Sequence, residues 1–439
     1  MTSDARKVPS GRLARLGVFG QLAAGVAGNV VAEGARRLAR GERPQMSDLL
    51  LTPANAVRVT DQLSRLRGAA MKLGQMISLD AGDMLPPELT QILARLRDAG
   101  SIMPPAQLEK VLAVSWGANW RRQFRRFDAR PVAAASIGQV HRAELPDGRV
   151  VAIKVQYPGI ANSIDADVDN VATLLKVSGL LPAGLAIEPL LTEAKRQLHE
   201  EADYLREAAQ MTRYADLLAD DPMFVVPRPL MDLTGSQVLA MDFITASPIE
   251  SLESAPDDVR NRAMQALLAL VLRELFEFGF MQTDPNFANF RWQAATGKIV
   301  VLDFGAARAV PPDVTSGYHA LLSAAFRGDH AGIRQALIEV GFVSAAQFAH
   351  HGDALDRIIT VVLAQISRPD AVADDFDFAD RSFVEQIRAE IPQIAADRAN
   401  WHIPPAEALF VQRKVSGTVL LAVKMKARLP LTAMVAPYI

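Results

Sequence analysis

Four short segments, in fixed order and separated by long stretches, constrain this 439-residue chain more than its composition does. Lys154 ends the apolar run Val151-Ala152-Ile153, which reads as a buried strand. A helix rich in acids follows, with Glu200, Glu201, Asp203 and Glu207. Asp284 and Asn289 then stand five residues apart in Gln282-Thr283-Asp284-Pro285-Asn286-Phe287-Ala288-Asn289. Asp303 follows the strand-like run Ile299-Val300-Val301-Leu302, which fixes its carboxylate at a strand end, and precedes Phe304-Gly305. Taken singly, each segment has a plain reading: a strand-end lysine facing water, a solvated acidic helix face, an ordinary Asp-Pro-Asn turn. Taken together they do not, because both aspartate motifs at this interval downstream of Lys154 are improbable by accident, and a buried lysine is expensive unless it is paired. The set supplies a lysine for phosphates, an acid to hold it, and Asp, Asn and Asp to place a metal and an acceptor. These are the groups phosphoryl transfer requires.

The order is that of a protein kinase, with three departures. Where a kinase has a glycine-rich loop, this chain has Ala133-Ala134-Ala135-Ser136-Ile137-Gly138-Gln139. Glycine permits positive φ and close approach of backbone to phosphate; three alanines forbid part of that space and add methyl groups, so phosphates must be held differently. Gln282 stands where a kinase has the histidine of His-Arg-Asp. Glu207 lies much farther past Lys154 than a kinase's partner glutamate, so an insertion, residues 157–190, intervenes.

The rest of the chain frames these segments. Residues 1 to about 115 read as helical, with Leu63, Leu66, Ala70, Leu73 and Ile77 at helical spacing. Gly74 interrupts that helix at a cost of roughly 1 kcal/mol relative to alanine, which suggests close approach of another group. Residues 132–145 and 149–156 read as two strands joined by Pro146-Asp147-Gly148. Residues 187–218 read as one helix, and residues 224–229 and 238–243 as short strands. Beyond Pro256 the chain is mostly helical, interrupted near 280–305. The expected fold is α+β: a helical extension (1–115), a small mixed lobe (116–245) and a larger helical lobe (246–439). Residues 16–33 are apolar but broken by Gln21 and Asn29 and flanked by arginines, which fits a helix lying on a surface better than a span. Arg413 and Lys414 argue likewise against a span over 408–424. With no cysteine, disulfides and thiolate chemistry are excluded and a reducing compartment is expected. A net charge of −2 gives no argument for a nucleic-acid partner.

These residues together resemble the UbiB family of atypical, protein-kinase-like proteins, whose members support coenzyme Q (ubiquinone) biosynthesis. The resemblance covers most of the chain and rests on Lys72-x-Gly74-Gln75-x-x-Ser78, the loop Ala133 to Ser136, and Glu201-x-Asp203-Tyr204. The Gln-Thr-Asp-Pro-Asn form of the catalytic loop looks most like the mitochondrial and alphaproteobacterial branch. The resemblance implies that Lys154 contacts nucleotide phosphates and pairs with Glu207, and that Glu201 sits with Lys72 and Gln75. It further implies that Asn289 and Asp303 hold magnesium and that Asp284 is the catalytic-loop acid. Ala133, Ala134, Ala135 and Ser136 would line the phosphates, and Met241, Asp242, Phe243 and Ile244 would form the adenine-contacting hinge between the lobes. ATP and Mg2+ are the implied cofactors. Expected partners are a membrane surface with ubiquinone-precursor lipids, ubiquinone-biosynthesis enzymes, and a second copy in a homodimer. The expected location is cytoplasmic, peripheral to a bacterial inner membrane. The activity implied is that of a magnesium-dependent ATPase acting on lipid intermediates or the biosynthetic complex of ubiquinone at a membrane surface; two other readings stand beside it, a nucleotide-gated scaffold with little catalysis and a small-molecule kinase like the aminoglycoside phosphotransferases.

Overall fold

The computed structural model describes residues 102–177, 188–366, 375–397 and 404–439, together with Arg36 and Arg40. The expected helices before residue 101, the apolar stretch 16–33 and the Lys72-x-Gly74-Gln75 segment lie outside the described residues. The chain divides into two compact units. One runs to Thr212 and includes Arg228–Phe243; the other comprises Arg213–Pro227 and Ile244–Ile439.

In the first unit, helix α1 (Pro105–Trp116) begins with a proline, where a missing N–H costs nothing, and buries Leu108, Val111 and Leu112. Strands β1 (Arg126–Phe127), β2 (Ala133–Ala134), β3 (Gly138–Glu144) and β4 (Val150–Gln156) follow. The Asp-Gly turn forms as expected: the Leu145 N–H donates to the Arg149 carbonyl at 2.9 Å, and Gly148 takes φ +88°. The single strand expected over 132–145 is instead broken. The Ala135 N–H donates to the Gly138 carbonyl at 2.9 Å, so the chain reverses and Ala133 pairs opposite Val140. The alanine loop is thus the tip of a hairpin.

The insertion after β4 contains α2 (Ile164–Val177), with Asp165 and Asp167 in the first turn, where the helix dipole favours acids. Residues 188–217 form two helices rather than one, α3 (Glu188–Ala202) and α4 (Tyr204–Leu217). Asp203 makes the break. Its carboxylate accepts the Arg206 N–H at 2.9 Å and its carbonyl the Glu207 N–H, so it caps a new helix instead of continuing the old one. After β5 (Phe224–Val225), which belongs to the second unit, the chain returns with β6 (Val238–Asp242). The sheet order is β1-β3-β4-β6, with β2 added on β3. Strand β4 is therefore interior, and every residue from Val151 to Gln156 is buried. Within β3, His141 is held between Gln139 Nε2 (2.8 Å) and the Asp128 carbonyl (2.9 Å). Burial holds its pKa below the ordinary value, against the opposing pull of Asp128.

The second unit is mostly helical. It contains β7 (Ser247–Pro248), α5 (Asp257–Phe276), β8 (Phe280–Gln282), β9 (Phe290–Gln293), β10 (Lys298–Val301) and β11 (Ala307–Ala309). Helices α6 (Pro312–Phe326), α7 (His330–Val340) and α8 (Ala345–Ile366) follow. Then come β12 (Phe376–Asp377), α9 (Ser382–Ala396), α10 (Ala406–Lys424), β13 (Arg428–Leu429) and α11 (Leu431–Val435). Strands β5-β10-β9-β7 form one sheet, while β8 pairs with β11 and β12 with β13. A core of Val271, Leu275, Met281, Val310, Val314, Phe410 and Val411 packs α5, β8, α6 and α10 together. No described helix is long and apolar enough to cross a membrane.

Candidate active site

In the first unit, Lys154 lies mid-sheet, with Val140 opposite on β3 and Leu239 opposite on β6. It does not face water. Its side chain is 8% exposed, and its ammonium donates to both oxygens of Glu207, at 2.7 and 2.9 Å, with Glu207 itself 1% exposed. The cap at Asp203 sets this up, because it starts the helix that presents Glu207 to the strand. The Tyr204 ring lies 5.3 Å from the same ammonium. Glu201 is buried rather than part of a solvated face, and accepts the Ser136 hydroxyl at 2.5 Å. The alanine hairpin is thereby tied to the acid helix. Lys72 and Gln75, the other expected neighbours of Glu201, are outside the described residues. Ala133 and Ala134 are exposed, and Ala135 and Ser136 are half-buried. Met241 is buried in β6. The Asp242 carboxylate accepts the Arg228 N–H at 2.9 Å, and the Phe243 N–H donates to the Val150 carbonyl at 3.2 Å. Ile244 begins the next stretch of the second unit.

Gly138, the one glycine left in the loop, was not singled out by sequence. A Cβ there would lie 2.3 Å from the Val155 carbonyl oxygen and 3.0 Å from the Tyr204 hydroxyl. It is needed for the hairpin to lie against β4 beside Lys154.

In the second unit, Asp284, Asn289 and Asp303 are held by one set of backbone ties. Strand β8 leads into Asp284 and β11 follows Asp303, and the two strands pair with Gln282 opposite Ala307. The Thr283 hydroxyl donates to the Ala306 carbonyl at 2.8 Å, and the Leu302 N–H donates to the Asn289 carbonyl at 2.8 Å. The Asp284 carboxylate accepts the Asn286 N–H at 3.2 Å, and the Asp303 carboxylate accepts the Gly305 N–H at 3.2 Å. Asp303 has φ +60°, a left-handed backbone costing roughly 1–2 kcal/mol for a residue with a Cβ, as found where neighbours over-determine a functional group. Phe304 is fully buried, its ring 5.0 Å from that of Tyr214.

Beneath this loop is a polar network that sequence reading missed. Lys414 of α10, 1% exposed, donates to Gln282 Oε1 at 2.8 Å and lies 3.6 Å from Glu274 Oε2. Gln282 Nε2 donates to the Asp303 carbonyl at 3.2 Å. Glu274, fully buried, accepts the Gln282 backbone N–H at 2.9 Å and the Tyr214 hydroxyl. Burial pushes the Glu274 pKa up and the Lys414 pKa down, and the attraction between them opposes both shifts. A signal was present. Phe410, Val411, Lys414, Thr418, Leu421 and Ala422 form the buried stripe of α10, so the lysine stands on the apolar face. Gln282, at the position of the kinase histidine, holds the Asp303 backbone with its amide.

A sequence profile of the ABC1 atypical kinase-like domain matches residues 95–337. Atypical kinase COQ8, mitochondrial, of Saccharomyces cerevisiae is 39% identical over 97% of this chain and 84% of its own length. The chain belongs to the ABC1, or UbiB, family of atypical kinase-like proteins. Another family member, Atypical kinase COQ8B, mitochondrial, of Rattus norvegicus, is 38% identical over 97% of this chain and 80% of its own length. Among solved structures, "The complex structure of Rv3197-erythromycin from Mycobacterium tuberculosis" matches with TM-score 0.59 and 24% identity, over 86% of this chain and 93% of that one. That likeness shows a shared fold, and with the ABC1 kinase-like profile it bears out the α+β kinase-like architecture read from sequence. With relatives named atypical kinases along nearly its whole length, this ABC1-family chain is a kinase-like enzyme.

Proposed function

We propose that this chain is a magnesium-dependent ATPase of kinase-like build that supports ubiquinone biosynthesis, acting on lipid intermediates or on the biosynthetic enzymes at a membrane surface. The observation that carries the catalytic part is the buried Lys154–Glu207 pair, which holds a charged lysine inside the sheet of a kinase-family domain. Lys154 would contact the nucleotide phosphates, the Ala133–Ser136 hairpin would lie along them, and the backbone of Met241 to Ile244 would take the adenine. Asp284 would accept the proton of the attacking group. The part concerning ubiquinone rests on the resemblance to the UbiB family. The bacterial, membrane-peripheral location is proposed on the same ground, while the relatives above are named mitochondrial.

Asn289 and Asp303 suit magnesium by their chemistry. They are one amide and one carboxylate, hard oxygen donors at adjoining points of the loop, with Asn289 buried and its backbone carbonyl bonded by the N–H of Leu302, the residue before Asp303. Among the described residues no group of three or more His, Cys, Asp or Glu is placed to hold a metal. A two-ligand site fits an ion that keeps waters and takes its other ligands from phosphates. When bound, magnesium would neutralise charge developing on phosphate oxygens. Protein phosphorylation is the less suitable use, because the alanine hairpin is bonded to Glu201 instead of forming a glycine loop.

Phosphate release should be measured with and without anionic liposomes carrying a ubiquinone-precursor mimic. Membrane-stimulated release abolished by Asp303→Asn supports the proposal. Magnesium-dependent nucleotide binding without release would favour the scaffold, and label transferred to a soluble small molecule would favour a small-molecule kinase.

A further inference from the structure

The network under the catalytic loop has a directional logic. An amide side chain can place oxygen or nitrogen at either end, but an ammonium only donates, so the end of Gln282 facing Lys414 must be Oε1. Its Nε2 must then face the Asp303 carbonyl, where it donates at 3.2 Å. Without the lysine that choice is no longer enforced, and a flipped amide would set oxygen against oxygen at Asp303. Asp303 holds a left-handed backbone that depends on its surroundings, and its carbonyl bond to Gln282 is one of the contacts that hold it there. Lys414 also stands 4.9 Å from the Phe290 ring, on the residue next to Asn289. The cation on the last long helix thus touches the chain adjoining one expected metal ligand and, through a single amide, the backbone of the other.

We propose that Lys414 is a positioning residue for the magnesium site: by orienting Gln282 it sets the Asp303 backbone, with Glu274 as the counter-charge that lets the lysine be buried. The proposal rests on the reading of Asn289 and Asp303 as magnesium ligands. Residues behind a metal's own ligands commonly alter metal affinity 10–100-fold when replaced.

The test compares the affinity of a fluorescent ADP analogue in MgCl2 with that in EDTA, alongside thermal unfolding. The charge-balanced variant Lys414→Met/Glu274→Gln should keep its EDTA affinity within about threefold of wild type and lose about tenfold of the magnesium enhancement. Gln282→Met leaves the Lys414–Glu274 pair in place and covers the case in which the double variant does not fold; it should lose the enhancement as the double variant does. Asp303→Asn sets the scale of complete loss. Full enhancement in folded Gln282→Met or in the double variant overturns the proposal, as does equal weakening with and without magnesium, which marks a structural role only. Should wild type itself show no magnesium enhancement, the reading of Asn289 and Asp303 fails first and this inference falls with it.

Discussion

Each unit buries a lysine against a glutamate, and the two pairs are built differently. Lys154 meets Glu207 head on, at 2.7 and 2.9 Å, so charge answers charge directly. Lys414 gives its short bond, 2.8 Å, to a neutral amide and keeps Glu274 at 3.6 Å, while that glutamate serves a tyrosine and a backbone N–H. The first pair fixes one side chain in a sheet. The second is shared among α4, α5, β8 and α10 and holds up a loop. A buried ion pair is weak support for stability in itself, because desolvation offsets the attraction. What each pair does is therefore better judged by what it orients than by its own energy.

The largest expected effect comes from Lys154→Met, which leaves Glu207 charged and buried. A loss of roughly 3–5 kcal/mol in unfolding free energy is expected, together with loss of ATP turnover. Lys154→Met/Glu207→Gln should recover much of the stability and none of the turnover. Recovered turnover would break the claim that the first pair serves the phosphates. Next, Gly138→Ala drives a methyl against the Val155 carbonyl and should cost about 1–3 kcal/mol in thermal or denaturant unfolding, with normal stability refuting the close approach. In the second unit, Asp303→Gly should move stability the other way. It removes left-handed strain, gaining up to about 1 kcal/mol, while phosphate release falls to background. Ala135→Gly, at the hairpin tip of the first unit, should change ATP affinity and raise autophosphorylation; purified variant with unchanged affinity and no new phosphorylation counts against that. The smallest effect is one of pH. The His141 pKa lies below its unfolded value near 6.5, so the unfolded chain takes up a proton that the folded one resists. The contribution of His141 is complete above about pH 6.5 and declines as pH falls below it. Melts at pH 7.5 and 5.5 should show His141→Gln losing less on acidification than wild type.

The two pairs also mark what could be read in the sequence. The fold class, the Asp-Gly turn and the strand before Asp303 follow from local runs and motif order, the Lys154–Glu207 partnership is implied by the family resemblance, and all are present. Two expectations failed where a short contact outweighed a run of propensity. Ala135 closes a hairpin where a continuous strand was expected, and Asp203 caps a second helix inside one expected helix. The second pair stayed hidden because its members lie far apart in sequence and match no motif. Lys414 was noticed only as a charge unsuited to a membrane span, yet its place on the buried stripe of α10 was itself the clue. The role of Gln282 has no signature in the sequence, since it lies in a bond from its amide to the backbone of Asp303, 21 residues away.

Three residues beyond Lys414, Gly417 faces the catalytic loop so closely that a Cβ would lie 2.5 Å from the Cβ of Pro285. This contact sets a limit on how the protein can be divided. The family profile ends at residue 337, before α10 begins at Ala406. A fragment cut at the profile's edge would display Lys154, Glu207, Asp284, Asn289 and Asp303 and be scored as a whole catalytic domain. It would lack the surface on which Pro285 rests, so motif completeness and domain completeness part company at the last long helix.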